Sequence, residues 1–140
     1  MSETATAETT KPAPQLTGVT PYLMVEGAAA AIAFYKDALG AEEVGERANM
    51  DDGRILNSRV HINGAPVMLM DPMPDHGHPA APHDSYNLHL QVDDADTWFD
   101  RAVTAGCEVV MPMSLQFWGD RYGMVKDPFG VTWSFGTTPA

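Results

Sequence analysis

One cysteine, Cys107, stands alone in 140 residues, so neither an intrachain disulfide framework nor a cysteine-rich zinc site is open to this chain. Basic residues are scarce, 8 against 19 acidic ones, for a net charge of −11. That balance argues against nucleic acid and anionic membranes, both of which attract basic surfaces. No apolar run approaches the roughly 20 residues of a membrane span. The opening stretch MSETATAETTKPAPQLTG also lacks the apolar segment of about 7–15 residues that a signal peptide needs. Its Thr, Ala and Pro content suits a flexible tail over residues 1–17. The expectation is a cytoplasmic protein. What is present, 44% hydrophobic and 9% aromatic residues, suffices for one folded domain over residues 18–140, large enough to bury a core without staples.

That domain contains an internal repeat. PYLMVEG (21–27) and NLHLQVDD (87–94) are alternating strands that end on valine and an acidic residue, and each runs into a helix-like segment, 28–40 or 95–106. The helices stop at Gly40 and Gly106, which lie 66 apart and are suited to the left-handed helix stop. Extended stretches follow at 41–50 and 107–117, then two further strands per half. The first pair turns through Asn63-Gly64 and the second through DPFG, with Gly64 and Gly130 again 66 apart; both are hairpin signals. The chain reads as β-α-β-β-β twice: module one over 18–70, a proline-rich linker over 71–85 and module two over 86–137. With only two helices to cover the strands, an α+β fold with a curved mixed sheet is expected, the helices packing on its convex face. Phe34 with Ala30, and Phe99 with Val103, sit four apart and read as core; Trp98 is either core or a subunit contact.

With these elements placed, the chain resembles the vicinal oxygen chelate superfamily, the glyoxalase/bleomycin-resistance fold of paired βαβββ modules, and within it the PhnB-like branch. The resemblance rests on PYLMVEGAAAAIAFYKDALGAEEV, VMLMD, NLHLQVDDAD, QFWGDRYG and DPFGVTWS, in that order. It implies eight strands wrapped around a cleft, and a homodimer. In metal-using members, four cleft side chains, one each from the first and last strand of each module, hold a divalent ion that chelates two adjacent substrate oxygens. Aligned to that pattern, the four positions here are Thr20, Met68, Asn87 and Ser134, and the repeat agrees: 20 and 87 are 67 apart, 68 and 134 are 66 apart. None is histidine or carboxylate, so no cofactor is expected at the usual site, although a divalent ion on relocated ligands remains an alternative.

Strand alternation sorts the remaining side chains. Leu88, Leu90 and Val92, Val131, Trp133 and Phe135, and Leu56, Val60 and Ile62 should face the helices. Thr20, Tyr22 and Met24, Asn57, Arg59 and His61, Met68 and Met70, Asn87, His89 and Gln91, and Thr132 and Ser134 should face the cleft. Such a face, polar with methionine patches, suits a partly apolar organic ligand. His61 and His89 are candidates for a shifted metal site or a general base; the other reading is a hydrogen-bonded strand histidine. His76, His78 and His83 crowd the linker, but its prolines and glycine oppose convergence on a metal, and a mobile lid is the better expectation.

QFWGDRYG (116–123) remains open: Trp118 and Arg121 read equally as binding loop or structural corner, Phe117 as core, and Asp120–Arg121 as an ion pair. Three functions follow. One is a metal-independent small-molecule binder with Tyr22, Asn57, Arg59, Met68, Asn87, His89, Gln91, Trp118, Arg121 and Ser134 as its contacts. Another is a metal-dependent lyase, isomerase or dioxygenase of the glyoxalase type. The third is a cofactor-free enzyme using His89 or Tyr122 as acid or base.

Overall fold

The computed structural model describes residues 12–140; residues 1–11, most of the expected tail, lie outside them. The chain forms two compact units, one ending at Ala80 and the other beginning at Ala81, with Asp37–Leu39 grouped in the second. In the first unit β1 (Tyr22–Met24), α1 (Ala28–Leu39), β2 (Glu42–Glu43), β3 (Ala48–Asn49), β4 (Ile55–Ile62) and β5 (Ala65–Met70) follow in order. The second unit holds β6 (Leu88–Gln91), α2 (Ala95–Ala105), β7 (Glu108–Leu115), β8 (Arg121–Lys126) and β9 (Thr132–Thr137). The expected second strand of module one is broken into β2 and β3, so the strands form one five-stranded and one four-stranded mixed sheet.

The repeat holds at the level of hydrogen-bond register. The first strand of each module lies parallel to the last, pairing Tyr22 with Met68 in one and His89 with Ser134 in the other. The helix starts are anchored alike. Asp71, just past β5, accepts hydrogen bonds from the Gly27 and Ala28 amides through Oδ1 and from the Ile55 amide through Oδ2, at 3.1, 2.9 and 2.7 Å. Thr137 ends β9, and its Oγ1 accepts from the Ala95 amide at 2.7 Å while donating to the Val92 carbonyl. Each last strand thus supplies partners for amides that a helix start leaves open. Asn63 and Gly64 both take positive φ, 52° and 82°, as a tight hairpin turn requires.

The aspartate of DPFG is a structural hub. Asp127 Oδ1 accepts from the Phe129 and Val131 amides, and Oδ2 accepts from the Trp133 indole at 2.8 Å. A buried carboxylate is retained when its lone pairs are filled in this way. Val131, Trp133 and Phe135 are buried as alternation requires.

Four expectations are corrected. In α1 the buried face is Ala28, Ala31, Ile32, Tyr35, Ala38 and Leu39, whereas Ala30 is exposed and Phe34 half-buried. A run of four alanines gives the helix no strong polarity in sequence, and Tyr35 supplies the ring that fills the interior. Leu56 is exposed while Ile55 is buried, because β3 pairs Ala48 with Asn57 and Asn49 with Ile55. Leu56 is therefore the extra residue of a β-bulge, and the alternation reverses across it. Phe117, read as core, is 97% exposed. The first half of the linker is anchored: Met73 is buried, and Asp75 is gripped by Arg54 through bonds of 2.8 and 3.2 Å. Those hydrogen bonds hold the Asp75 carboxyl down to about 2. No described helix is long and apolar enough to cross a membrane.

Candidate functional site

In module two, register and pleat bring Asn87, His89 and Gln91 of the β6 segment beside Ser134 of β9. Ser134 is fully buried. Its Oγ receives the Asn87 amide at 2.7 Å and lies 2.8 Å from His89 Nδ1. His89 Nε2 is 2.8 Å from Gln91 Oε1, and Gln91 Nε2 donates to Thr138 Oγ1 at 2.8 Å. Because the Gln91 carbonyl can only accept, His89 Nε2 carries a proton and donates it. In the neutral ring Nδ1 is then an acceptor, and the Ser134 hydroxyl donates to it. The tautomer follows from the network.

A row of rings crosses this polar chain at His89. The imidazole stacks on Tyr122, with centroids 5.7 Å apart and planes 19° from parallel. Tyr122 meets Trp118 edge to face at 5.7 Å, and Trp118 meets Phe117 at 5.0 Å. Below the imidazole lies Gly136, where a Cβ would stand 2.9 Å from His89 Cε1 and from Gln91 Oε1. The glycine is what lets the ring lie flat on the sheet. Gly136 and Thr138 escaped the sequence reading, since a glycine within a strand gave no sign of what would lie over it.

The octet 116–123 divides accordingly. Gly119 takes a φ of 103° in the turn that the Gln116 amide closes onto the Asp120 carbonyl. Tyr122 and Trp118 belong to the ring row. Arg121 is paired with Asp96 of α2 through Nε and Nη2 at 3.1 and 2.8 Å, correcting the expected pair with Asp120. It stands with Gly123, the neighbour that meets Phe99 of α2, on the face turned from His89. Gly123 is a packing residue, because a Cβ there would meet both Phe99 and the Met113 backbone at 3.0 Å.

Module one builds a different surface on its equivalent strands. Tyr22, in the register place of His89, donates its hydroxyl to the Leu56 carbonyl at 2.9 Å and accepts from Asn57 Nδ2 at 2.9 Å. Arg59 is buried, and its Nη2 donates to the Pro14 carbonyl at 2.7 Å. A cavity of about 340 Å³ is lined by Arg59, Asn57 and Met68, by Val44–Glu46 and by residues 13–16. His61 sits further along the Arg59 row, opposite Glu42 of β2. Among the described residues, its Nε2 and Thr20 Oγ1 are buried without a hydrogen-bond partner.

The four positions matching the metal-using pattern offer a hydroxyl (Thr20), a thioether (Met68), an amide (Asn87) and a second hydroxyl (Ser134). They do not fit a first-row divalent ion, which is held by imidazole, carboxylate or thiolate. Asn87 and Ser134 are moreover bonded to each other. Among the described residues, no three of His, Cys, Asp and Glu are grouped to hold a metal ion. Two of the three linker histidines have other neighbours: His83 Nδ1 lies 2.6 Å from the Tyr86 hydroxyl, and His76 Nε2 lies 3.6 Å from Asp75 Oδ2.

Comparison with known proteins adds to this geometry. The sequence profile described as Glyoxalase/Bleomycin resistance protein/Dioxygenase superfamily matches residues 15–135. The uncharacterized protein Rv0887c of Mycobacterium tuberculosis is 43% identical over 124 residues, which cover 84% of this chain and 72% of the relative. Among solved structures, protein PA1353 from Pseudomonas aeruginosa superposes with a TM-score of 0.70 at 24% identity, covering 87% of this chain and 98% of its own. The PhnB protein from Bacillus cereus superposes with a TM-score of 0.67 at 21% identity, covering 86% and 99%.

Proposed function

Because the chain belongs to the Glyoxalase/Bleomycin resistance protein/Dioxygenase superfamily, we propose that it acts in the cytoplasm as a binder of a small, partly apolar organic molecule, without the divalent metal of the metal-using members. The observation that carries this reading is the bonding of Ser134. At a family ligand position, its hydroxyl is buried and already engaged by Asn87 and by His89. The stacked His89–Tyr122 pair and the half-exposed Trp118 beside it present flat aromatic faces next to amide groups. Such a surface suits a planar ligand with a few hydrogen-bonding atoms. His89 serves here as a positioned stacking surface, since both ring nitrogens are engaged.

A homodimer belongs to the same reading. It is supported by β7, the terminal strand of its sheet, which exposes Val109, Val110, Met111 and Leu115. Apolar side chains on an unpaired edge favour a partner strand.

The test is a thermal-shift screen of aromatic antibiotics, dicarbonyls and thiol adducts, run with and without EDTA on protein purified without an affinity tag. A ligand that raises the melting temperature equally in both conditions, and not in His89→Ala, is the expected result. A shift abolished by EDTA, or about one equivalent of bound transition metal, would instead favour a glyoxalase-type lyase, isomerase or dioxygenase with relocated ligands.

A further inference from the structure

Arg59 is 8% exposed, and among the described residues no carboxylate pairs with it. Its hydrogen bond runs to a neutral group, the Pro14 carbonyl, at 2.7 Å. A guanidinium carries five N–H donors, and a buried cation is retained when it is paired or when it serves a ligand. Arg59 lines a cavity of about 340 Å³ whose wall mixes Leu16, Val44 and Met68 with Asn57 and Gln15, a size and composition within the range of small-molecule sites. The segment that supplies Pro14 lies close over it: a Cβ on Gly45 would stand 3.0 Å from Ala13 Cβ.

We propose that Arg59 anchors a carboxylate subsite in module one, and that residues 13–16 form a strap whose Pro14 carbonyl fills the place of a carboxylate oxygen until a ligand displaces it. A carboxylate matches the planar fork of the guanidinium with two oxygens where the peptide offers one, and it supplies the missing counter-charge. Glu46 on the same wall sets a second negative charge beside the site. It disfavours a dianion such as phosphate and leaves a single carboxylate on an apolar body as the group accommodated. This assignment takes small-molecule binding from the reading above but does not depend on His89.

The experiment is a titration of the full, isotope-labelled chain with benzoate, with benzamide and inorganic phosphate in parallel, followed by NMR. Benzoate is expected to saturate at a concentration at least about tenfold below either comparison compound. The Arg59 Nε–H signal and the Gln15 and Leu16 amides should shift along one binding curve, with amide exchange at 15 and 16 accelerating as the strap lifts. Arg59→Gln should weaken benzoate at least about tenfold, and Arg59→Lys should retain part of the affinity. Equal binding of benzoate and benzamide overturns the proposal, as does undiminished binding by Arg59→Gln. If that variant does not fold, a native titration that leaves Arg59, Gln15 and Leu16 unmoved overturns it as well. The antibiotic and dicarbonyl screen is read on His89 and this titration on Arg59, so either can fail alone.

Discussion

Asn87 and His89 meet on one atom, the Ser134 hydroxyl oxygen, which receives the amide at 2.7 Å and lies 2.8 Å from the imidazole. Ser134→Ala removes that junction. Long-range proton–nitrogen NMR should find the uncharged His89 ring protonated on Nε2 in the native chain and also in Ser134→Ala, where Gln91 Oε1 still accepts that proton and the lost junction costs about 1 kcal/mol; in Gln91→Leu the tautomers should mix. Gly136→Ala acts from beneath the ring and should displace it, weakening ligand binding while stability changes by less than about 1 kcal/mol. A tautomer ratio unchanged in Gln91→Leu would dismiss the network.

The helix anchors make a second prediction. Asp71 serves three backbone amides and Thr137 one. Asp71→Ala should therefore cost more, about 2 kcal/mol or above, against about 1 kcal/mol for Thr137→Ala. Urea unfolding measures both, and the reverse order would show that the capping bonds do not govern these helices.

Cys107 lies buried between α2 and β7, and burial, followed by the charge of Asp127, pushes its thiol from 9.0 up to about 12. The native thiol should stay protonated at pH 8 and react slowly with a disulfide reagent, whereas unfolded protein should react at once. The sign for stability follows directly. Below pH 9 both states hold the proton and the contribution is complete; as pH rises from about 9 towards 12 the unfolded chain ionises first, and the native state loses ground. Rapid native labelling at pH 8 would contradict the burial.

The proposed dimerisation through β7 is tested by sedimentation. Val110→Lys with Leu115→Lys should convert a dimer into a monomer with its fold retained, because both side chains are already exposed. A dimer that survives both lysines would place the contact elsewhere.

Most of the scaffold was legible because glycine spacing and strand patterns are local. The 66-residue offset between Gly40 and Gly106 reappears as the equivalent pairings Tyr22–Met68 and His89–Ser134. The misreadings come from distant partners, from a break in period, or from composition without polarity. Arg121 finds Asp96, 25 residues away, and no neighbour in sequence announces it. Phe117 looked like core by hydrophobicity alone, yet it ends the ring row in solvent. The Arg59–Pro14 bond spans 45 residues and joins a strand to a segment whose composition resembled a tail.

The bulge at Leu56 acts as a phase buffer for protein engineering. Arg59 and His61 are held in register by Met68 and Pro66 of β5, downstream of the extra residue. The Met50–Arg54 turn lies upstream of it. A loop grafted between Met50 and Arg54 that keeps Arg54 on Asp75 and Ile55 on Asp71 should leave the Asn57–Arg59–His61 row pointing as before. The 50–54 turn is therefore the natural port at which new recognition elements can be attached to module one without retuning the strand behind it.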